Sequence, residues 1–230
     1  MFIASLVLAS CTQDEVDYST TEPEVIPEAG SADFSKYVAL GNSLTAGYSD
    51  GALFIAGQNN SYAKLLADQF ATVGGGEFKI PLMNDNYGGL LAAGTPIQGV
   101  RLIFNGSSPV PLPGAVPTTD ITNVLTGPFN NMGVPGAKSF HLLANGYGNI
   151  AGVSAGLSNP YFVRFASSPT TSILADALAQ SPTFFSLWIG NNDVLSYATS
   201  GGIGTNQTGN LNPATYGSND ITDPNVFANV

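Results

Sequence analysis

The chain has 230 residues, of which 43% are hydrophobic and 10% are charged, so it can bury a core and is not a disordered polymer. Its formal net charge is −10, which excludes the basic surface that nucleic-acid binding requires. A single cysteine and a single histidine exclude an internal disulfide, a cysteine-based metal cage and a multi-histidine metal site.

Residues 1–10 are apolar apart from two serines, and Cys11 follows them directly. Ten residues are too few to span a bilayer as a helix. The stretch Leu8-Ala9-Ser10-Cys11 resembles the lipobox of bacterial lipoprotein signal peptides, in which the cysteine becomes the lipidated N-terminus. The basic segment that should open a signal peptide is missing, so we expect further sequence upstream. We therefore expect a lipid anchor at Cys11, in the bacterial envelope at the outer membrane. The alternative is a short apolar segment that ends in a buried thiol.

Residues 12–33 form an acidic segment, with seven of the sixteen acidic residues of the chain and no Lys or Arg. This composition predicts an extended, self-repelling tether. Acidic residues behind a lipidated cysteine resemble the surface-export signal of Bacteroidetes-type lipoproteins, although a simple spacer explains them as well.

Apolar runs and helical periodicity then alternate along the chain. They predict strands at 37–40, 77–83 and 183–189. They also predict helices at about 62–73, with Ser61 as its N-cap, at 137–144 and at 170–180, and a helix that begins at Asp223-Pro224. Pro81 places the second strand at a sheet edge or ends it early. Residues 84–125 are rich in Gly, Pro, Asn and Thr, which indicates an inserted loop with a hairpin near 101–106. After residue 193 the pattern weakens. Apolar strands alternating with helices predict an α/β fold with a parallel sheet covered on both faces and Trp188 in its core.

Three small polar loops flank these elements where parallel α/β sheets bind ligands. They are residues 41–48 after the first strand, 131–136 before the helix at 137, and 190–193 after the strand at 183–189. A serine hydroxyl in a strand-end turn can act as a nucleophile, and a glycine lets its backbone N–H approach a substrate oxygen. An asparagine amide can donate a further hydrogen bond to an oxyanion. The combination suits acyl transfer.

The same loops resemble the sequence blocks of the SGNH/GDSL hydrolases. The matches are Gly41-Asn42-Ser43-Leu44 to Gly-Asp-Ser-Leu with Asn for Asp, then Asn131, Gly133 and Gly136 to Asn-x-Gly-x-x-Gly, and Gly190, Asn192 and Asp193 to Gly-x-Asn-Asp. Each motif alone is common in loops. Three motifs in the right order are specific, and the resemblance covers about residues 34–200.

The resemblance implies a flavodoxin-like, three-layer α/β/α domain over residues 34–230, and hydrolysis of carboxylic esters through a seryl acyl-enzyme. It implies Ser43 as nucleophile, and the Gly133 N–H, the Asn192 amide and the Ser43 N–H as oxyanion donors. No metal or organic cofactor is implied. The substrate would be a lipid, aryl or carbohydrate ester, and the oligomeric state is open. Asn42 is expected to tune the first turn and Asp193 to fix the third. The alternative is that Ser43 only caps a helix and Asn192 only forms an Asx turn.

The family's Asp-x-x-His block, which supplies the general base, has no match. Asp220 and Asp223 are followed by no histidine, because the only one is His141. His141 lies five residues beyond Gly136, which favours a packing role over a catalytic one. We expect the catalytic Asp and His beyond Val230, so that the domain is C-terminally incomplete and this chain inactive. The alternative is a non-catalytic surface lipoprotein that binds glycan or another envelope component.

Overall fold

The computed structural model describes residues 26–230, which form a mixed α/β fold. The segment 1–10, Cys11 and residues 12–25 of the acidic tether lie outside the described residues. The described strands are β1 (Tyr37–Gly41), β2 (Leu90–Ala92), β3 (Thr95–Gln98), β4 (Leu102–Phe104), β5 (Pro109–Pro111), β6 (Asn131–Gly133) and β7 (Phe184–Trp188). The α-helices are α1 (Ser43–Ala46), α2 (Ile55–Asn59), α3 (Tyr62–Ala71), α4 (Pro160–Val163), α5 (Ile173–Leu178), α6 (Asn192–Thr199) and α7 (Pro224–Ala228). Short 3-10 helices cover Ser139–Leu142, Ile150–Ala155 and Pro213–Thr215.

A three-stranded parallel sheet in the order β6-β1-β7 organises the fold. The predicted parallel sheet and the strands at 37–40 and 183–189 are therefore confirmed. The pairs β2-β3 and β4-β5 form two small antiparallel sheets, and the second is a hairpin within the glycine- and proline-rich segment 84–125. No helix of residues 26–230 is both long and apolar enough to cross a membrane.

Every residue of β1 is buried, because the strand is covered on both faces. Tyr37 and Ala39 pack against Ala63 and Ala67 of α3. The alternate side chains point the other way, into a cluster that α5, the 3-10 helix Ser139–Leu142 and the chain around α4 supply. That cluster includes Val38, Leu40, Met132, Val134, Leu142, Phe162, Phe165 and Ile173.

Strand β7 forms one edge of this sheet in the part of the chain that the structure describes. Phe185 is 61% exposed and Trp188 is 50% exposed, so the prediction that Trp188 lies in the sheet core is wrong. The physical reason is the edge position, where one side of the strand has no described neighbour to cover it.

Residues 77–83 form no strand, in contrast to the prediction. The backbone of Lys79 contacts the chain just before and at the start of β6, where its carbonyl accepts from the Asn130 and Asn131 N–H groups. The ladder stops there because Leu82 N–H turns back to the Ile80 carbonyl and Pro81 has no N–H to donate.

The helix predictions hold with shorter bounds. Ser61 caps α3, as expected, by accepting a hydrogen bond from Lys64 N–H at 3.2 Å. The segment 137–144 forms only a 3-10 turn, and the helix at 170–180 is reduced to α5 behind its cap Ser172. Helix α7 begins at Pro224 with Asp223 as its cap, as predicted. The sequence does not predict helix α6, because its first residues, Asn192 and Asp193, belong to a polar motif that is typical of a loop.

Candidate functional site

The register of the parallel sheet brings the three polar loops to one edge. Gly41, the last residue of β1, pairs with Gly133 of β6 on one side and with Trp188 of β7 on the other. Because all three strands run in the same direction, the residues that follow them emerge together at the carboxyl edge. Ser43 comes two residues after β1, and Asn192 comes four residues after β7.

Ser43 is the first residue of α1 and is partly exposed. Neither its hydroxyl nor its backbone N–H makes a hydrogen bond within residues 26–230. A free N–H is expected at the first position of a helix, where no preceding turn supplies an acceptor. The hydroxyl and the N–H are thus both available to a ligand at the sheet edge.

Asn42 caps α1 and links two of the loops. Its side chain is fully buried. The side-chain oxygen accepts from Leu44 N–H at 3.3 Å, and its NH₂ group donates to the side-chain oxygen of Asn191. The amide therefore satisfies a donor and an acceptor at once, which a carboxylate at this position could not do.

Asn131 holds the second loop against α1. Its NH₂ group donates to the Thr45 carbonyl at 2.9 Å, and its oxygen accepts from Gly133 N–H at 2.9 Å. The expected oxyanion donor Gly133 N–H is thus already engaged by a side chain. Gly136 turns the chain away from the sheet with φ +82°, a left-handed conformation that favours glycine.

Asn192 and Asp193 begin α6 and tie it to the second loop. Asn192 donates one amide hydrogen to the Ala137 carbonyl at 2.8 Å, which leaves the other for a ligand. Asp193 accepts from the Ser139 N–H at 2.9 Å and from the Ser139 hydroxyl at 2.7 Å. Both Asp193 oxygens therefore serve to hold the loops together. Gly190, the first residue of the third motif, has φ +109° in the turn between β7 and α6.

His141 lies in a packing environment. Its ring stacks on Tyr147 with centroids 4.3 Å apart, and its Nδ1 accepts from Lys138 N–H at 2.9 Å. The proton of the neutral ring is therefore on Nε2. Burial, together with the nearby Lys138 ammonium, lowers the pKa of His141 to about 4. A ring so weakly basic is poorly suited to deprotonate a serine at neutral pH.

Some residues that hold the site together are not identified by the sequence alone. Asn191 and Ser139 are partners of Asn42 and Asp193, and each lies next to a recognised motif residue or within a few residues of one. Thr45 links the start of α1 to the sheet and to Tyr62, whose hydroxyl lies 2.8 Å from the Thr45 hydroxyl. Proximity to the motifs was the only sequence signal for these roles.

A large open cavity of about 730 Å³ lies beside the second loop. Its wall includes Gly136, His141, Tyr147, Leu157 and Tyr216, but not Ser43. It is mostly apolar and aromatic.

Comparisons with protein-family models, with curated proteins and with solved structures found no match.

A substitution at Gly133 tests the close contact between β6 and α1. A Cβ there would lie 2.7 Å from the Thr45 carbonyl carbon and closer still to the Ala46 nitrogen. We expect Gly133→Ala to lower the free energy of unfolding in urea by about 1–3 kcal/mol, because backbone atoms cannot give way easily. Gly99→Ala is the matched control, since a Cβ at Gly99 meets nothing within 4 Å. Equal stability of the two variants would contradict the close contact.

A substitution at Asp193 tests the link between α6 and Ser139, which lies just after the second loop. In Asp193→Asn, an NH₂ group replaces one acceptor oxygen and faces a Ser139 donor, so we expect a loss of about 1–3 kcal/mol in the free energy of unfolding. Asp50→Asn is the control, because Asp50 is exposed and has φ 51°, which Asn also tolerates. A harmless Asp193→Asn would show that these hydrogen bonds do not hold α6 in place.

His141 is half-buried beside the cavity, and its titration tests these surroundings. Its NMR signal can be assigned at once because the chain has one histidine, and we expect it to titrate near pH 4. The unfolded ring has a pKa of about 6.5, so the stability that a neutral His141 contributes is present above pH 6.5 and is lost as the pH falls toward 4.

The coupling between His141 protonation and folding stability can be measured by comparing the pH dependence of stability in the parent chain and in His141→Gln. Urea unfolding from pH 7 to pH 4.5 should show a smaller loss of stability in the variant, because carboxylate titration is common to both. A histidine signal that titrates near pH 6.5 would contradict the buried, hydrogen-bonded ring.

Proposed function

We propose that this chain carries the nucleophile and the oxyanion donors of a serine ester hydrolase with an SGNH-type, three-layer α/β/α domain. The observation that carries the proposal is the convergence of three loops, far apart in sequence, at one edge of a parallel sheet. In that setting the Ser43 hydroxyl and N–H make no hydrogen bond within residues 26–230, while the asparagine and aspartate side chains around them are hydrogen-bonded, mostly to backbone groups.

In the proposed reaction, the Ser43 oxygen attacks the carbonyl carbon of an ester and its proton passes to a general base. The negative charge that develops on the carbonyl oxygen accepts hydrogen bonds from Ser43 N–H and from the free amide hydrogen of Asn192. Collapse of this intermediate breaks the ester C–O bond, the base returns the proton to the leaving oxygen so that the alcohol is released, and an acyl-serine remains. Water, deprotonated by the same base, then attacks the acyl-serine, releases the carboxylic acid and restores the Ser43 hydroxyl. Gly133 N–H joins as a third donor when it exchanges its bond to Asn131 for one to the substrate.

The general base is proposed to come from chain that is not among these 230 residues. His141 is a poor candidate, because its Nδ1 is engaged and its pKa is lowered to about 4. The exposed side chains of Phe185 and Trp188 on β7 leave a face that a further strand or helix from outside residues 26–230 would cover. The lipid anchor at Cys11 and the acidic tether belong to the same proposal, which locates the protein in a bacterial envelope.

An alternative function is binding without catalysis, for example of a glycan or another envelope component. The open cavity of about 730 Å³ favours it, because a partly exposed ring such as Tyr216 can stack on a sugar. Esterase activity and glycan binding are separable, since Ser43 does not line this cavity.

Chemical rescue tests the role of Ser43. We expect the chain alone to hydrolyse an activated aryl ester at background rate, because a serine without a base is a poor nucleophile. Millimolar imidazole should raise the rate several-fold above that of Ser43→Ala in the same buffer, which corrects for hydrolysis by imidazole itself. Ser107→Ala, in the exposed hairpin loop, is the matched control and should behave like the parent chain.

Equal rescue of the parent chain and Ser43→Ala would refute Ser43 as the nucleophile. Strong turnover without imidazole, lost in Ser43→Ala, would refute the missing base and indicate one among these 230 residues. The coding sequence beyond Val230 gives an independent test. An in-frame Asp-x-x-His supports the hydrolase, whereas a stop codon favours the binding protein.

A further inference from the structure

Arg164 is a buried cation that has no acidic partner among residues 26–230. It follows α4 directly and is 1% exposed. Its Nη2 donates to the Pro81 carbonyl at 3.2 Å and to the Leu82 carbonyl at 2.5 Å, whereas Nη1 has no hydrogen-bond partner in the described part of the chain. The ion pairs found in residues 26–230 join Lys64 to Asp68 and Lys79 to Glu77, so neither includes Arg164.

An unpaired buried charge is costly in a folded protein. Burial lowers the pKa of Arg164 to about 10, which still leaves the guanidinium charged at neutral pH. Two backbone carbonyls supply partial negative charge, but they do not reach the Nη1 side of the group. The site therefore lacks a counter-charge on that side.

The Tyr161 hydroxyl lies beside the same cavity as Arg164 and likewise lacks a hydrogen-bond partner among residues 26–230. Tyr161 is 3% exposed, and no group of the described residues forms a hydrogen bond of good geometry with its hydroxyl. Both side chains line an internal cavity of about 10 Å³, together with Leu53, Asn131 and Gly133. A cavity of this volume holds about one water-sized species.

The other polar side chains on the cavity wall each make one hydrogen bond as donor and one as acceptor. Asn131 uses its amide on Thr45 and Gly133. Gln58 donates to the Pro81 carbonyl at 3.0 Å and accepts from Met83 N–H at 2.7 Å. The wall thus offers two free donors beside a positive charge, and no negatively charged group of residues 26–230 lies on it.

We propose that this cavity binds a single small monatomic anion, with chloride as the representative ion, between Arg164 Nη1 and the Tyr161 hydroxyl. The anion accepts one hydrogen bond from each group and neutralises the guanidinium. Because Asn131 and Gly133 form part of the wall, the ion also supports the second polar loop from beneath. The site is independent of the proposed ester hydrolysis.

Chloride binding is tested by thermal unfolding in sodium chloride against sodium gluconate at equal ionic strength. Gluconate is far too large for the cavity. We expect Tm to rise with chloride and then to follow the logarithmic dependence of a ligand that binds only the folded state. Tyr161→Phe keeps the ring but removes one donor, and should weaken the apparent chloride affinity about tenfold.

Tyr48→Phe is the matched control. The Tyr48 ring packs edge-on against Tyr161 with centroids 6.2 Å apart, but its hydroxyl bonds to the Gly51 carbonyl and does not line the cavity. Its response to chloride should equal that of the parent chain. Arg164→Met should abolish the response, and if that variant does not fold, the comparison of the two tyrosine variants decides.

Crystals grown in sodium bromide give the position directly. We expect an anomalous peak within hydrogen-bond reach of Arg164 Nη1 and the Tyr161 hydroxyl. Identical unfolding in chloride and gluconate would overturn the proposal and assign the cavity to a water molecule. A chloride response that Tyr161→Phe leaves unchanged would overturn it as well, because the ion would then act elsewhere.

Discussion

The parallel pairing of β1 with β6 and β7 is the constraint on which the rest of the described structure depends. It aligns the carboxyl ends of three strands in one register, so that Gly41 lies between Gly133 and Trp188. A parallel sheet of this kind requires long crossovers, and these carry the helices that cover both faces of β1. Any change of register by one residue would separate the loops and turn the apolar side chains of β1 to the wrong layers.

Hydrogen bonds between side chains and backbone hold the three loops together once the strands have aligned them. Asn42, Asn131, Asn192 and Asp193 each connect their own loop to another part of the chain, and most of these contacts are buried. Such contacts are valuable because a buried amide or carboxylate without a partner destabilises the fold. Ser43 differs from these residues, because its hydroxyl and its N–H make no hydrogen bond within residues 26–230. The proposed chemistry depends on both groups being free.

Two cavities of very different size lie beside the second loop. The open cavity forms where the turn at Ser139–Leu142 and the chain near Tyr216 leave an aromatic wall exposed. The small internal cavity forms where Arg164 and Tyr161 reach beneath the second loop without completing their hydrogen bonds. The first is suited to a ligand of substrate size, whereas the second has room only for a species the size of a single ion or water molecule.

Local sequence determined the elements whose signals are local: the apolar runs of β1 and β7, the Ser61 cap of α3, the Asp223-Pro224 start of α7 and the order of the three polar motifs. Only the tertiary structure decided that residues 77–83 form no strand, that Trp188 lies at an exposed edge, and that Gly133 N–H is engaged by Asn131. The difference has one physical reason. Caps and periodicity act within a few residues of the chain, whereas strand pairing, burial and hydrogen-bond partners depend on segments that folding brings together from far apart in sequence.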